Sequence, residues 1–145
     1  MDTLDEKLIR LLEKNAYQSS DALARQLDVS ASTVRRRIRK LMTNNILRIV
    51  GLVDPIKIGY PLIVGIAFDV EHAKMDLVAQ QLFIYPEIKF LSTTTGRFDM
   101  LVTAIFKSTE ELTEFVQRKL SKVEGIKHSE TSICMEIKKG RYFSI

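Results

Sequence analysis

Leucines at positions 4, 8, 11 and 12 recur at the three-to-four spacing of a helix with one apolar stripe. Thr3 and Glu6 form a capping box ahead of them, so a first helix is expected over 4–15. Leu23, Ala24 and Leu27 mark a short second helix over 21–27, capped by Ser20. Asp28 and Val29 then make a tight turn, in which Asp28 takes the left-handed region that Asp tolerates better than most residues. Val34, Ile38 and Leu41 fall at i, i+4 and i+7, the seam of a third helix over 31–43. Ser30 suits its N-cap, and Asn44-Asn45 suits its end. Helix, short helix, tight turn, helix is a helix-turn-helix arrangement. Residues 46–53 are apolar and β-branched and read as a strand leaving this unit.

The texture changes after residues 54–61, where Pro55, Gly59 and Pro61 make a hinge. Leu62, Val64, Ile66, Phe68 and Val70 alternate with smaller residues, the period of a strand with one buried face. Met75, Val78, Ala79 and Leu82 mark a helix that Pro86 ends. A strand over 88–95, rich in hydroxyls at its end, leads through the turn Gly96-Arg97-Phe98-Asp99 into a strand over 100–106. Ser108 and Glu111 form a capping box for a helix with Leu112, Phe115, Val116 and Leu120 inward, closed by Gly125. A last strand is expected over 131–138, with Cys134 as a small core residue on it. The order is βαββαβ, the ferredoxin-like pattern, so the chain is α+β with domains at 1–53 and 62–145 flanking the hinge. Both helices of that pattern lie on one face of an antiparallel sheet. The chain holds no further element for the other face, and self-association is the expected cover.

Charge separates the same two parts. Residues 1–50 carry ten Lys/Arg against six Asp/Glu, and 51–145 carry twelve of each. The whole net charge of +4 therefore belongs to the first third of the chain, which points to one module that meets a polyanion. Only Ile38 interrupts the cations from Arg35 to Lys40, and Ile38 belongs to the apolar seam. On a helix, Ser32, Arg36, Arg39 and Lys40 fall opposite that seam, while Arg35 and Arg37 flank it. A helix charged only for solubility mixes signs through i, i+4 pairs, and here no acid lies between Ala31 and Met42. Duplex DNA is the expected partner, met by Ser20, Ser30, Ser32, Thr33, Arg35, Arg36, Arg37, Arg39 and Lys40, with Arg48 beyond the helix. Arg37, nearest the seam, has packing or bracing as its other reading.

The remaining composition excludes more than it suggests. One cysteine allows no internal disulfide and no cysteine zinc cluster, and His72 and His128 lie far apart, so no metal site is expected. The opening M-D-T-L-D-E lacks the apolar core of a signal peptide, and no apolar run reaches the ~20 residues that span a bilayer. A reducing, cytoplasmic setting is expected. No nucleophile triad and no glycine-rich phosphate loop is present, so neither an enzyme nor a cofactor is expected.

The stretches L-D-E-K-L-I-R-L-L, L-A-R-Q-L-D-V-S-A-S-T-V-R-R-R-I-R-K-L, D-P-I-K-I-G-Y, T-G-R-F-D-M-L-V and V-E-G-I-K-H-S-E-T-S, in this order and spacing, resemble the Lrp/AsnC (feast/famine) transcriptional regulators. The resemblance covers nearly the whole chain. It implies a winged helix-turn-helix joined to a ligand-sensing αβ-sandwich, dimers that often assemble into octamers, and modulation by an amino acid or related small molecule. Asn44-Asn45 stands where the family usually has glycine, and Arg97 where a small or acidic residue is common. The resemblance also turns Gly96-Arg97-Phe98-Asp99 from an ordinary hairpin into an effector site. Its N–H groups would hold a carboxylate and Asp99 an ammonium, with Thr131 and Ser132 completing the pocket from a neighbouring subunit. Arg97 would favour an acidic or polar side chain. Two alternatives share the fold: a tetrapyrrole-binding decarboxylase, against which the basic helix argues, and a non-DNA binding module for protein or RNA.

Overall fold

The computed structural model describes residues 1–140, so residues 141–145 of the expected second domain lie outside the described residues. The chain divides into two compact units at Val50/Gly51.

In the first unit, α1 spans Thr3–Lys14, α2 spans Ser20–Leu27 and α3 spans Ala31–Thr43. Leu8, Leu12, Leu23, Ala24, Val34 and Leu41 form its core, with Ile38 packed against them. Two caps differ from expectation by one residue. The N-cap of α1 is Asp2, not Thr3. The Asp5 N–H donates to Asp2 Oδ1 (3.0 Å) and the Asp2 N–H to Asp5 Oδ2 (3.2 Å), a capping box of two carboxylates. A carboxylate there also meets the positive end of the helix dipole, which a threonine hydroxyl does not. Likewise Ser19, not Ser20, caps α2, accepting from the Ala22 N–H at 3.1 Å. The turn behaves as expected, with Asp28 at φ 54°. After α3 it is Asn45, at φ 55°, that takes the left-handed conformation.

Residues 46–53 do not form the expected strand. They are irregular, with a single bridge residue at Val53. A strand needs a ladder partner, and β-branched composition supplies none. Ile49, Val50 and Leu52 consequently remain about half exposed.

In the second unit, β1 (Leu62–Val70), α4 (Met75–Phe83), β2 (Ile88–Thr93), β3 (Met100–Phe106), α5 and β4 (Ile126–Ile133) follow in that order. The sheet order is β2-β3-β1-β4, antiparallel throughout, as the ferredoxin-like pattern requires. The α5 helix starts at Thr109, capped by Ser108. It widens into a π turn over Phe115–Lys119 and ends in a 3-10 turn over Leu120–Lys122. Glu111 reaches the Lys107 N–H rather than that of Ser108, so the expected capping box is only half formed. The core lies between the helices and one sheet face. Val64, Ile66, Phe68 and Val70 of β1 and Met100, Val102, Ala104 and Phe106 of β3 pack on Val78, Leu82, Leu112 and Phe115.

β4 begins five residues earlier than its apolar content suggested. Its sequence I-K-H-S-E-T-S-I is polar because it is an edge strand, so hydrophobicity points past it. Gly125, at φ 108°, makes the turn into β4, and its carbonyl accepts from the Glu71 N–H at 2.9 Å. Cys134 accordingly falls beyond the strand and is exposed rather than in the core. Its N–H still donates to the Ile63 carbonyl at 2.8 Å.

Pleat alternation sorts the second sheet face. Gly65, Ala67 and Asp69 of β1 share it with Leu101 and Thr103 of β3, Phe90 and Ser92 of β2, and His128, Glu130 and Ser132 of β4. Neither α4 nor α5 covers this face. Among the described residues no helix is long and apolar enough to cross a membrane.

Candidate nucleic-acid interface and effector pocket

The outer surface of α3 follows from its seam. Burial of Val34 and Leu41 turns Ser32, Arg35, Arg36, Arg39 and Lys40 to solvent. Ser30 fixes where the helix begins. Its Oγ accepts from the Thr33 N–H (3.1 Å) and lies 2.9 Å from the hydroxyls of Ser32 and Thr33. Ser20, at the start of α2, lines one groove with Arg35, Ile38, Arg39, Met42 and Thr43, so the two helices present their polar groups together. Among the described residues no carboxylate lies within ion-pair distance of Arg35, Arg36, Arg39 or Lys40. Arg48 is exposed on the irregular segment past α3.

Arg37 is different. Its Nη1 bonds Asp2 Oδ2 at 2.5 Å and Asp5 Oδ1 at 3.2 Å, so it ties α3 to the capping box of α1. Asp5 is buried, and the Arg37 side chain is only 21% exposed. The Asp5 N–H and then the Arg37 guanidinium hold the Asp2 carboxyl below its ordinary range, and Asp2 in turn raises Arg37. The structure thus turns Arg37 inward against Asp2 and Asp5, apart from the solvent-facing cations.

The hairpin after β2 is stitched from within. Gly96 stands at φ 114°, a conformation glycine adopts without strain. The Thr94 N–H donates to the Asp99 carbonyl (2.9 Å), and the Thr94 hydroxyl to the Phe98 carbonyl (2.7 Å). Asp99 faces back into the sheet. Its Oδ2 accepts from the Val70 N–H at 2.8 Å, and Oδ1 lies 3.9 Å from His72 Nδ1. The carboxylate expected to receive an ammonium is therefore already bonded to backbone.

Arg97 is also engaged. It donates to Glu130 Oε1 at 2.9 Å, and its guanidinium stands 5.0 Å from the centre of the Phe98 ring. Thr131 pairs with Ile66 and Ser132 with Gly65, so these neighbours point to opposite faces of the sheet. Only Ser132 joins Phe98 in a pocket of about 450 Å³ on the open face, with Gly65, Ala67, Phe90, Leu101, Thr103 and Glu130. Sequence reasoning missed Glu130 and Phe90. Glu130 was reachable only with the register of β4 in hand, two residues before Ser132.

Among the described residues there is no group of three or more His, Cys, Asp or Glu side chains able to hold a metal ion.

Two family models match the chain, an AsnC-type helix-turn-helix domain over 1–42 and an Lrp/AsnC ligand-binding domain over 62–142. The chain belongs to the Lrp/AsnC family of transcriptional regulators. An uncharacterized HTH-type transcriptional regulator of Pyrococcus furiosus is 40% identical over 98% of this chain and 97% of its own length. Another from Pyrococcus horikoshii is 35% identical over 98% of this chain and 90% of its own. The structure of Escherichia coli AsnC superimposes with a TM-score of 0.87 at 24% identity, covering 97% of this chain and 96% of that one. A Neisseria meningitidis regulator solved as a complex with L-Met does so with a TM-score of 0.87 at 22% identity, covering 97% and 94%. At those identities the two structures show the fold. The chain is thus an HTH-type transcriptional regulator with an N-terminal DNA-binding unit and a C-terminal α+β unit of the ligand-binding type.

Proposed function

We propose that this regulator binds a near-palindromic duplex site as a two-fold dimer and answers to an amino acid or related small molecule. Arg35, Arg36, Arg39 and Lys40, the four α3 cations without a carboxylate partner among the described residues, carry the DNA reading. A helix laid in the major groove offers such side chains to base edges and phosphates together. Ser20, Ser32 and Thr33 add hydroxyl contacts, and Arg48 a phosphate contact. The domain limits we adopt are 1–53 for this module, 54–61 for the hinge and 62–145 for the sensing module. A second copy covers the open sheet face, supported by the exposure of Phe90 and Leu101 there and of Ile49, Val50 and Leu52 before the hinge. The effector pocket lies on that same face, so assembly closes it. The neisserial relative's complex with L-Met supports a ligand of the amino-acid class. The place of action is the cytoplasm.

Selection of bound duplexes from random DNA, with and without a mixture of the twenty amino acids, tests this reading. Enrichment of two inverted half-sites about one helical turn, or a multiple of it, apart is the expected result. Recovery of no sequence preference, or of a single unrepeated half-site, would overturn it.

A further inference from the structure

Tyr17 is the one aromatic residue among positions 1–50, and it stands wholly in solvent, 100% exposed. An aromatic ring is ordinarily the largest contribution a small core receives, and a phenol hydroxyl ordinarily finds a hydrogen bond. This ring is outside the core of the first unit, and among the described residues its hydroxyl has no partner. The backbone that carries it is nonetheless held. The Tyr17 N–H donates to Asn15 Oδ1 at 2.9 Å. Gln18 Nε2 donates to the Leu11 carbonyl of α1 (3.3 Å) and to the Asn15 carbonyl (3.2 Å), and Gln18 Oε1 accepts from Gln26 Nε2 of α2 at 2.6 Å. The loop between the two helices is thus tied to both, and what it presents to solvent is the phenol.

That loop leads into the start of α2, where Ser20 shares a groove with Arg35 and Arg39 of α3. Arg35 and Arg39, one turn apart, mark the α2 side of the recognition helix, and Lys40 falls on its other side. From Lys14 to Ser20 the chain carries no carboxylate that would repel a phosphate. We infer that the Tyr17 hydroxyl donates to a DNA phosphate on the α2 side of α3. The contact extends the row of Arg35 and Ser20 along one strand and sets the position of the unit on the duplex without reading its sequence. This adds a residue to the duplex reading above and rests on it. A phenol is neutral, so its contact releases no counterion, unlike that of an arginine.

Binding isotherms of the full chain, wild type and Tyr17→Phe, on the selected duplex and on a scrambled one at several salt concentrations provide the test. Tyr17→Phe removes only the hydroxyl. It should weaken binding roughly three- to tenfold per half-site, the range of one net hydrogen bond. The factor should be the same on both duplexes, the salt slope should stay that of wild type, and the melting temperature should not move. Wild-type affinity in Tyr17→Phe would overturn this inference, even where Tyr17→Ala binds weakly, because the ring and not the hydroxyl would then make the contact. A loss confined to the selected duplex would overturn it too, since it would mark a base contact, as would a flattened salt slope. Failure of wild type to bind either duplex would overturn the duplex reading with it.

Discussion

Arg36, Arg37 and Arg39 are chemically identical and stand within one turn of one helix, yet their surroundings assign them different work. Arg36 and Arg39 face solvent, while Arg37 bonds two carboxylates of α1. Arg36→Ala and Arg39→Ala should therefore leave thermal melting unchanged and weaken duplex binding. A lost base contact costs about 1–3 kcal/mol and relaxes one position of the site. A lost phosphate contact lowers affinity evenly and flattens the salt slope by about one unit. Arg37→Ala should do the reverse, lowering the melting temperature with the salt slope of the remaining binding unchanged. Melting curves beside binding isotherms at several salt concentrations decide between them. The clamp also has a pH signature. Asp2 has a depressed pKa in the folded chain, so its contribution is present at neutral pH. It is lost as pH falls through that depressed value, and Arg37→Ala should flatten this acid limb.

Helix starts in this chain are set by competition between adjacent polar residues. Ser19 and Ser20 both suit a cap, and only Ser19 has the extended backbone, φ −67° and ψ 153°, that lets its oxygen meet a free N–H. Ser19→Ala should cost about 1 kcal/mol of unfolding free energy in the first unit. Ser20→Ala should cost little there and show its effect in DNA binding. Denaturant titration of each variant measures the difference. Strands obey a different constraint. Residues 46–53 have the composition of a strand but hold only a single bridge residue, Val53, among the described residues, whereas β4 has an edge strand's polar composition and pairs with β1 over seven residues. Pairing, which involves distant residues, outweighs local preference in both cases.

Taken whole, the molecule exposes apolar side chains on the open sheet face and in the segment between its units. A sheet with one uncovered face is stable in water when that face is polar or packed, and Phe90 and Leu101 make this one neither fully polar nor packed. A dimer is expected by light scattering at micromolar concentration. Leu101→Glu should shift it toward monomer and reduce affinity for a two-half-site duplex more than for a single half-site. A monomeric wild type would contradict the proposed arrangement.

Much was legible in the order of the residues. The seam Val34–Ile38–Leu41 has a period that only a helix satisfies, and Arg36, Arg39 and Lys40, on the opposite side, had to face outward once that seam was buried. The alternation from Leu62 to Val70, the hairpin at Gly96 and the βαββαβ order are local patterns of the same kind, and α3, β1 and β3 stand at the expected positions. Sequence alone did not assign partners. That Arg37 meets Asp2 and Asp5 depends on how α3 crosses α1. That Glu130 rather than Asp99 faces the pocket depends on the register of an edge strand with no apolar signal. Both rest on contacts between residues distant in sequence, 35 and 32 positions from Arg37 to Asp2 and Asp5, and 63 (130 − 67) from Glu130 to its partner Ala67. Periodicity fixes which way a side chain points from its own element, but what it then meets is decided by tertiary packing.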